Sequence, residues 1–229
     1  MLKAVLFDMD GVLYDSMKNH AESWYEAACH YGFEADRKKF YMYEGQTGAQ
    51  TIEDMMLSQR GRHATDEEIH DIYAFKSARF EQRGKAPVMD GALDVLRLVK
   101  DMGLTRVIVT GSGQASLLDK LEENFPGIFT ADKVVSAKDM PPGCGKPKPD
   151  PYLMGLQKAG QLNAQEAVVI ENAPLGVRAA KAAGIFTIAV NTGPLDPQVL
   201  KDEGADVVLS GMSELALKFR EIVESHFRS

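Results

Sequence analysis

The sequence has few cysteines and no long apolar run. Its two cysteines, Cys29 and Cys144, lie far apart without the spacing of a metal site, so a disulfide framework is not expected. No stretch approaches the roughly 20 apolar residues that a membrane-spanning helix needs, and the N-terminus lacks the apolar segment of a secretory signal. We therefore expect a cytoplasmic protein.

The chain also has fewer basic than acidic residues. The chain has 26 Lys and Arg against 33 Asp and Glu, which gives a net charge of -7. A field of this sign repels nucleic-acid backbones and anionic membranes, so neither is expected as a partner. A small phosphorylated substrate would need a local positive site, and we expect the protein to bind it as a monomer.

What the chain does have is a regular alternation of short apolar runs and helical patterns. The runs occupy residues 4–7, 104–109, 167–170, 185–190 and 207–209. This alternation is typical of an α/β fold with a doubly wound, Rossmann-like parallel sheet.

One segment interrupts that alternation. Residues 15–88 contain no strand-like run, and their apolar residues recur with helical spacing. Thr65 and Glu68 have the spacing of a capping box at the start of one such helix. The sequence therefore predicts an α/β core formed by residues 1–14 and 89–229, with an inserted helical domain at 15–88.

Reactive side chains follow the first predicted strand. In "FDMDGVLYDS", Asp8 comes directly after residues 4–7, and Asp10 follows two residues later. In open parallel sheets, ligands bind at the carboxyl edge of the strands. The two aspartates are therefore candidates for a site at that edge.

Other strand ends are also polar. Residues 104–109 lead into "TGSGQ", in which Thr110 ends the strand and Gly111 and Gly113 form a turn that opens toward a helix near Gln114. Backbone amides in such a turn can hold a phosphate, although glycines after a strand also serve the turn itself.

Two further segments reach the same edge. Residues 167–170 end in "ENAPLG", which places Glu171 and Asn172 there, and the proline-rich "GKPKPD" presents Lys146. Each has a structural alternative, since an acid and amide pair can cap a helix and a proline-rich loop can simply be stiff.

Together these four segments resemble the haloacid dehalogenase superfamily in order and spacing along the whole chain. "DGVLYDS", "PLGVRAAKAAG" and the position of the helical insert resemble its β-phosphoglucomutase-like branch, in which the insert forms a cap.

The resemblance implies a role for each segment. Asp8 would attack phosphorus and form an aspartyl-phosphate, and Asp10 would act as general acid and base. Thr110 and Lys146 would hold the phosphoryl oxygens. The implied cofactor is Mg²⁺, bound by Asp8, the Asp10 carbonyl and the pair Glu171 and Asn172.

The metal site departs from the family pattern, which commonly has an aspartate where this chain has Asn172. A missing carboxylate invites a replacement, and Glu44 lies in "YMYEGQTGAQ", the segment that by resemblance is the substrate-specificity loop of the cap. We expect Glu44 to complete the Mg²⁺ site, and the alternative is a solvated acid on a loop.

The same loop bears on the substrate. In the mutase branch, the position of Gly48 carries an arginine that grips a second phosphate, whereas glycine cannot. Bulky Tyr73 would restrict the space for a sugar. The whole motif set resembles a pyrophosphatase branch close to β-phosphoglucomutase, so we expect a pyrophosphatase that splits inorganic pyrophosphate into two phosphates. The alternative is a β-phosphoglucomutase-like mutase or a small sugar-phosphate phosphatase.

Four more residues are assigned to substrate binding. His20 would orient Asp10 or the substrate, or make only a structural hydrogen bond. Lys76 would neutralise the leaving phosphate, or else extend to solvent. Gly111 and Ser112 would contribute from the turn after the strand. A catalytically silent ligand-binding protein is the non-enzymatic alternative.

Overall fold

The fold is built around a six-stranded, fully parallel sheet. A computed structural model describes residues 1–112 and 120–227 and places the strands in the order β3-β2-β1-β4-β5-β6. This confirms the predicted doubly wound α/β core. The strands are β1 (Ala4–Phe7), β2 (Thr105–Val109), β3 (Val134–Val135), β4 (Ala167–Glu171), β5 (Phe186–Val190) and β6 (Val207–Leu209).

The register brings three strand ends to one level. Phe7 of β1 lies opposite Ile108 of β2 and Ile170 of β4. Asp8 follows Phe7 and donates its backbone N–H to the Ile170 carbonyl at 2.9 Å. The polar residues that end β1, β2 and β4 therefore share one edge of the sheet, as expected from the apolar runs.

Helices cover both faces of the sheet. On one face, α5 (Ala92–Asp101) and α10 (Met212–His226) share a core with Phe7 and Ile108, and on the other α7 (Asp150–Lys158) and α8 (Pro174–Ala182) pack with Leu6 and Val109. Alternate strand residues thus face opposite layers. The shorter helices are α6 (Leu121–Asn124) and α9 (Pro197–Asp202).

Four helices lie between β1 and α5. We call residues 17–82 the helical insert, and it comprises α1 (Met17–His30), α2 (Arg37–Met42), α3 (Gly48–Arg60) and α4 (Asp66–Gln82). The predicted capping box of Thr65 and Glu68 is present. The insert has a hydrophobic cluster of its own that includes Trp24, Phe40, Ile52, Met56 and Ile72. The exact boundaries of a separate domain stay a prediction.

None of the helices described within 1–112 and 120–227 is both long and apolar enough to span a membrane.

The contact between α5 and α10 depends on a glycine. Gly91 precedes α5 with a φ of +85°, and a Cβ there would lie 2.5 Å from the backbone N of Ser213 in α10. Both the left-handed conformation and the close approach exclude a side chain at this position.

Gly91→Ala should lower the free energy of unfolding by about 3 kcal/mol, because left-handed strain and overpacking add. Gly61 is the matched control, since it also has a positive φ but nothing would lie within 4 Å of its Cβ. Gly61→Ala should cost only about 1 kcal/mol. Urea denaturation measures both, and equal losses would contradict the close approach.

Candidate active site

A buried lysine joins three of the strand-end segments. Lys146 is 1% exposed, and its Nζ donates to Asp8 Oδ1 and Glu171 Oε1, each at 2.6 Å, and to the Val109 carbonyl at 3.0 Å. These attachments raise the pKa of Lys146 although burial alone would lower it. The structure therefore brings Asp8, Lys146 and Glu171 together, and their roles in a reaction stay predictions.

Glu171 receives hydrogen bonds on both carboxylate oxygens. Oε1 accepts from Lys146 and from the Tyr152 hydroxyl at 2.8 Å, and Oε2 accepts from the backbone N–H groups of Asn172 and Ala173, each at 2.9 Å. Gly176 makes room for it, since a Cβ there would collide with Oε1. Direct coordination of a metal by Glu171 stays a prediction, and it would require an exchange of these donors.

Two side chains hold Asp10: Ser16, which directly precedes the helical insert, and His20 in α1. Ser16 Oγ donates to Asp10 Oδ1 at 2.6 Å, and His20 Nε2 lies 3.2 Å from the same oxygen. Lys76 Nζ is 2.8 Å from His20 Nδ1. When Lys76 is protonated, its ammonium group can only donate, so Nδ1 accepts and Nε2 carries the proton donated to Asp10.

These contacts determine the charge state of Asp10. Burial raises its pKa, but attraction to His20 and the hydrogen bonds from His20 and Ser16 outweigh this and hold the pKa below its usual value. Burial and the charge of Lys76 lower the pKa of His20. The contacts of Asp10 with His20 and Ser16 thus favour its ionised form.

Lys76 does not extend to solvent. It is 2% exposed, and its Nζ lies 5.4 Å from the ring centroid of Trp24 and 5.0 Å from that of Phe80. Burial lowers its pKa to about 7, against the opposing attraction of Asp10. The alternative of a surface lysine is therefore wrong, and Lys76 belongs to the site.

The site has more acidic than basic side chains. Burial raises the pKa of Asp8 to about 8; the attraction of Lys146 opposes this rise, and the charges of Glu171 and Asp10 add to it. Burial and the nearby carboxylates of Asp10, Asp8 and Glu171 raise the pKa of Glu44 well above its usual value. Glu44 is half-buried with its Oε1 shielded from solvent, and its role as a metal ligand stays a prediction.

Two oxygens in this region are buried without a hydrogen-bond partner among the described residues. They are Glu44 Oε1 and Asn172 Oδ1. A buried polar atom left unsatisfied costs about 1–3 kcal/mol, so such atoms indicate a missing partner.

A hard divalent cation fits this arrangement. Carboxylate, amide and carbonyl oxygens are the ligands that Mg²⁺ prefers. Within residues 1–112 and 120–227, no three His, Cys, Asp or Glu side chains form a metal site by themselves. A cation would therefore also need the Asn172 amide and the Asp10 carbonyl, as the resemblance implies.

Most of the predicted site residues line one cavity. It has a volume of about 60 Å³ and contains these predicted residues in its wall: Asp8, Asp10, His20, Glu44, Tyr73, Lys76, Thr110, Gly111 and Ser112. Thr110 Oγ1 accepts from the Ser112 N–H at 2.9 Å. Gly113 and the helix expected near Gln114 lie outside the described residues.

The loop of residues 43–47 carries Glu44 to the cavity. Gly45 approaches the core closely, since its Cβ position is 3.2 Å from the Gly176 N and 3.3 Å from Lys146 Cδ. A Cβ on Gly111 would collide with the Gly45 carbonyl. The helical insert thus contributes directly to the site, as predicted for this loop.

Three features of the site were not predicted from the sequence. Ser16 and Tyr152 donate to Asp10 and Glu171, and a Cβ on Gly48 would collide with the Tyr73 ring. Ser16 follows Asp10 by six residues within the quoted motif, which is a usable signal. Nothing in the sequence marks Tyr152 as a site residue, because its position in the first turn of α7 is equally typical of a core residue.

The chain resembles known proteins over most of its length. It matches the family described as haloacid dehalogenase-like hydrolase over residues 2–184. A solved structure described as "Putative beta-phosphoglucomutase from Bacteroides vulgatus" is 53% identical, covers 100% of this chain and 91% of that chain, and has a TM-score of 0.93. The similarity therefore includes the helical insert.

Two curated relatives are phosphatases. Validoxylamine A 7'-phosphate phosphatase of Streptomyces hygroscopicus subsp. limoneus is 29% identical over 94% of this chain and 96% of its own length. Hexitol phosphatase A of Escherichia coli (strain K12) is 29% identical over 94% of both chains.

Replacing Lys76 should change stability in a pH-dependent way. An unfolded lysine has a pKa of about 10.4, so the folded state, with a pKa of about 7, binds fewer protons between these values. Stability from this group therefore rises with pH through that window. Lys76→Met should stabilise the protein at pH 6, and its advantage over the parent should be about 2 kcal/mol smaller at pH 9.

Urea denaturation without metal at both pH values measures this difference. Lys38 is exposed, so Lys38→Met serves as the control and should have the same effect at pH 6 and pH 9. A pH-independent effect of Lys76→Met would contradict the burial of a charged lysine.

Proposed function

The chain belongs to the haloacid dehalogenase-like hydrolases, and from this membership we propose that it is a magnesium-dependent phosphohydrolase with Asp8 as the nucleophile. The membership confirms the resemblance derived from the sequence. The observation that carries the proposal is the position of Asp8, which ends the central strand, lines the cavity and is bonded to Lys146.

Asp8 is oriented for attack by one of its oxygens. Lys146 holds Oδ1 at 2.6 Å, so Oδ2 is the oxygen that this ammonium group leaves for attack. The second oxygen would attack phosphorus, and the leaving group would depart as the aspartyl-phosphate forms. Thr110 and the neighbouring turn residues would hold the phosphoryl oxygens in line.

Asp10 fits the second half of this reaction. Its lowered pKa keeps it ionised, and an ionised carboxylate can take a proton from the water that hydrolyses the aspartyl-phosphate. The proton that it accepts would serve as the general acid for the next leaving group. His20 and Ser16 hold the carboxylate in place through this cycle.

The residues that would hold magnesium are Asp8, the Asp10 carbonyl, Asn172 and Glu44, with Glu171 nearby. Their buried oxygens support this assignment, because two of them have no other partner among the described residues. The bound ion would offset the repulsion between the carboxylates and a phosphate dianion.

For the substrate, the relatives support a sugar phosphate. Two curated relatives over nearly full length are phosphatases of a validoxylamine phosphate and of hexitol phosphates by name. They favour the alternative derived from the sequence and do not confirm pyrophosphate. Hydrolysis is a better fit than a mutase reaction, because Gly48 supplies no side chain to grip a second phosphate.

Inorganic pyrophosphate is the second candidate, and the cavity supports it. The Tyr73 ring fills the space above Gly48, and Glu44 brings an additional carboxylate to the wall. An acid at this position repels a free phosphate but suits a leaving phosphate that shares the metal. Lys76 in the same wall would neutralise the leaving group.

A phosphate-release assay tests both candidates. The substrates are pyrophosphate, the glucose 1-phosphate anomers, glucose 6-phosphate and a hexitol 6-phosphate, each with magnesium or with EDTA. We expect magnesium-dependent release from one class, and Asp8→Asn should reduce it by roughly a thousandfold or more. Full activity in Asp8→Asn would refute the nucleophile, whereas the preferred substrate decides between the candidates.

Glu44→Gln should weaken magnesium binding about tenfold, since the charge of the ligands sets the affinity for hard cations. The same change should stabilise the metal-free protein, because it removes an uncompensated buried carboxylate. Calorimetric titration with magnesium and urea denaturation measure the two effects. Glu34→Gln, at an exposed position, is the control, and unchanged magnesium affinity in Glu44→Gln would remove Glu44 from the site.

A further inference from the structure

The hydroxyl of Tyr152 contacts the site, and the proposed reaction does not use it. Tyr152 lies in the first turn of α7 and is 0% exposed. Its ring packs in the core with Leu6 and Val109, and its hydroxyl donates to Glu171 Oε1 at 2.8 Å. An apolar ring of the same shape would fill this part of the core equally well.

The hydroxyl is the first member of a chain of buried contacts. Glu171 Oε1 accepts from both Tyr152 and Lys146, and Lys146 in turn donates to Asp8 Oδ1 at 2.6 Å. Lys146 Nζ also lies 5.0 Å from the Tyr152 ring centroid. Tyr152 is thereby connected to the nucleophile through two side chains, without touching the cavity itself.

The Tyr152 hydroxyl affects how the Lys146 ammonium group is shared between Glu171 and Asp8. In a buried pair the strength of each ion contact depends on the other donors to the same oxygen. With Tyr152 present, Oε1 has two donors and its negative charge is divided between them. Without it, Oε1 would interact with Lys146 alone and would draw the ammonium away from Asp8.

We propose that Tyr152 is a positioning residue whose hydroxyl, through Glu171, keeps Lys146 on the Asp8 carboxylate. This inference rests on the proposed function, because it concerns the alignment of the same nucleophile. It assigns no contact with substrate or metal to Tyr152. The role requires the hydroxyl specifically, which separates it from a role in packing.

The test is Tyr152→Phe, which keeps the ring and removes the hydroxyl. The matched control is Tyr14→Phe, since Tyr14 is also 0% exposed and its hydroxyl accepts a hydrogen bond from Asn124 at 3.3 Å. We expect kcat for the preferred substrate to fall about tenfold in Tyr152→Phe with KM within about twofold. Tyr14→Phe should keep kcat within about twofold at a similar loss of Tm.

A second measurement does not depend on activity. The ¹⁵Nζ resonance of Lys146, identified by its loss in Lys146→Arg, should shift in Tyr152→Phe and stay in place in Tyr14→Phe, both without metal. An unchanged resonance and an unchanged kcat in Tyr152→Phe would overturn the inference. If the parent hydrolyses none of the phosphates, the proposed function fails, and the Lys146 resonance still tests the positioning role.

Discussion

The arrangement of the site depends on one buried ammonium group shared by two carboxylates. Lys146 contacts Asp8 at the end of β1 and Glu171 at the end of β4, and both contacts are 2.6 Å long. Removing three charges from water is costly, and the attraction between them compensates only when the geometry is accurate. The level register of β1 and β4 supplies that accuracy, so the position of the nucleophile follows from the pairing of the central strands.

This shared lysine does not neutralise the site. Burial raises the pKa values of Asp8 and Glu44, and the neighbouring carboxylates of the cluster with Asp10 and Glu171 raise them further. Asn172 supplies an oxygen without adding a further charge. Such a cluster lowers the stability of the protein, and the proposed magnesium ion would offset this cost, which is a common compromise at functional sites.

The sequence predicted the elements that have a local signal. Residues 4–7 and 207–209 are apolar without interruption, and both form strands with those bounds. The strand Val134–Val135 was missed because a two-residue edge strand has no periodicity to detect. The sequence did not decide whether Lys76 lies at the surface or in the site. Its burial depends on Trp24, Phe80 and His20, which only the fold brings together.

The division of labour between the sheet and the helical insert explains why chemistry is easier to infer than substrate. Asp8 and Asn172, the proposed nucleophile and metal-binding amide, follow strands of the core, where the backbone fixes their positions, and Lys146 contacts the ends of three strands from a loop. The cavity wall opposite them comes from the insert, through Glu44, Tyr73 and the glycine at position 48. A single substitution in that wall changes the space or charge that a leaving group meets. Similarity along the whole chain therefore identifies the reaction, whereas the substrate depends on a few side chains of the insert.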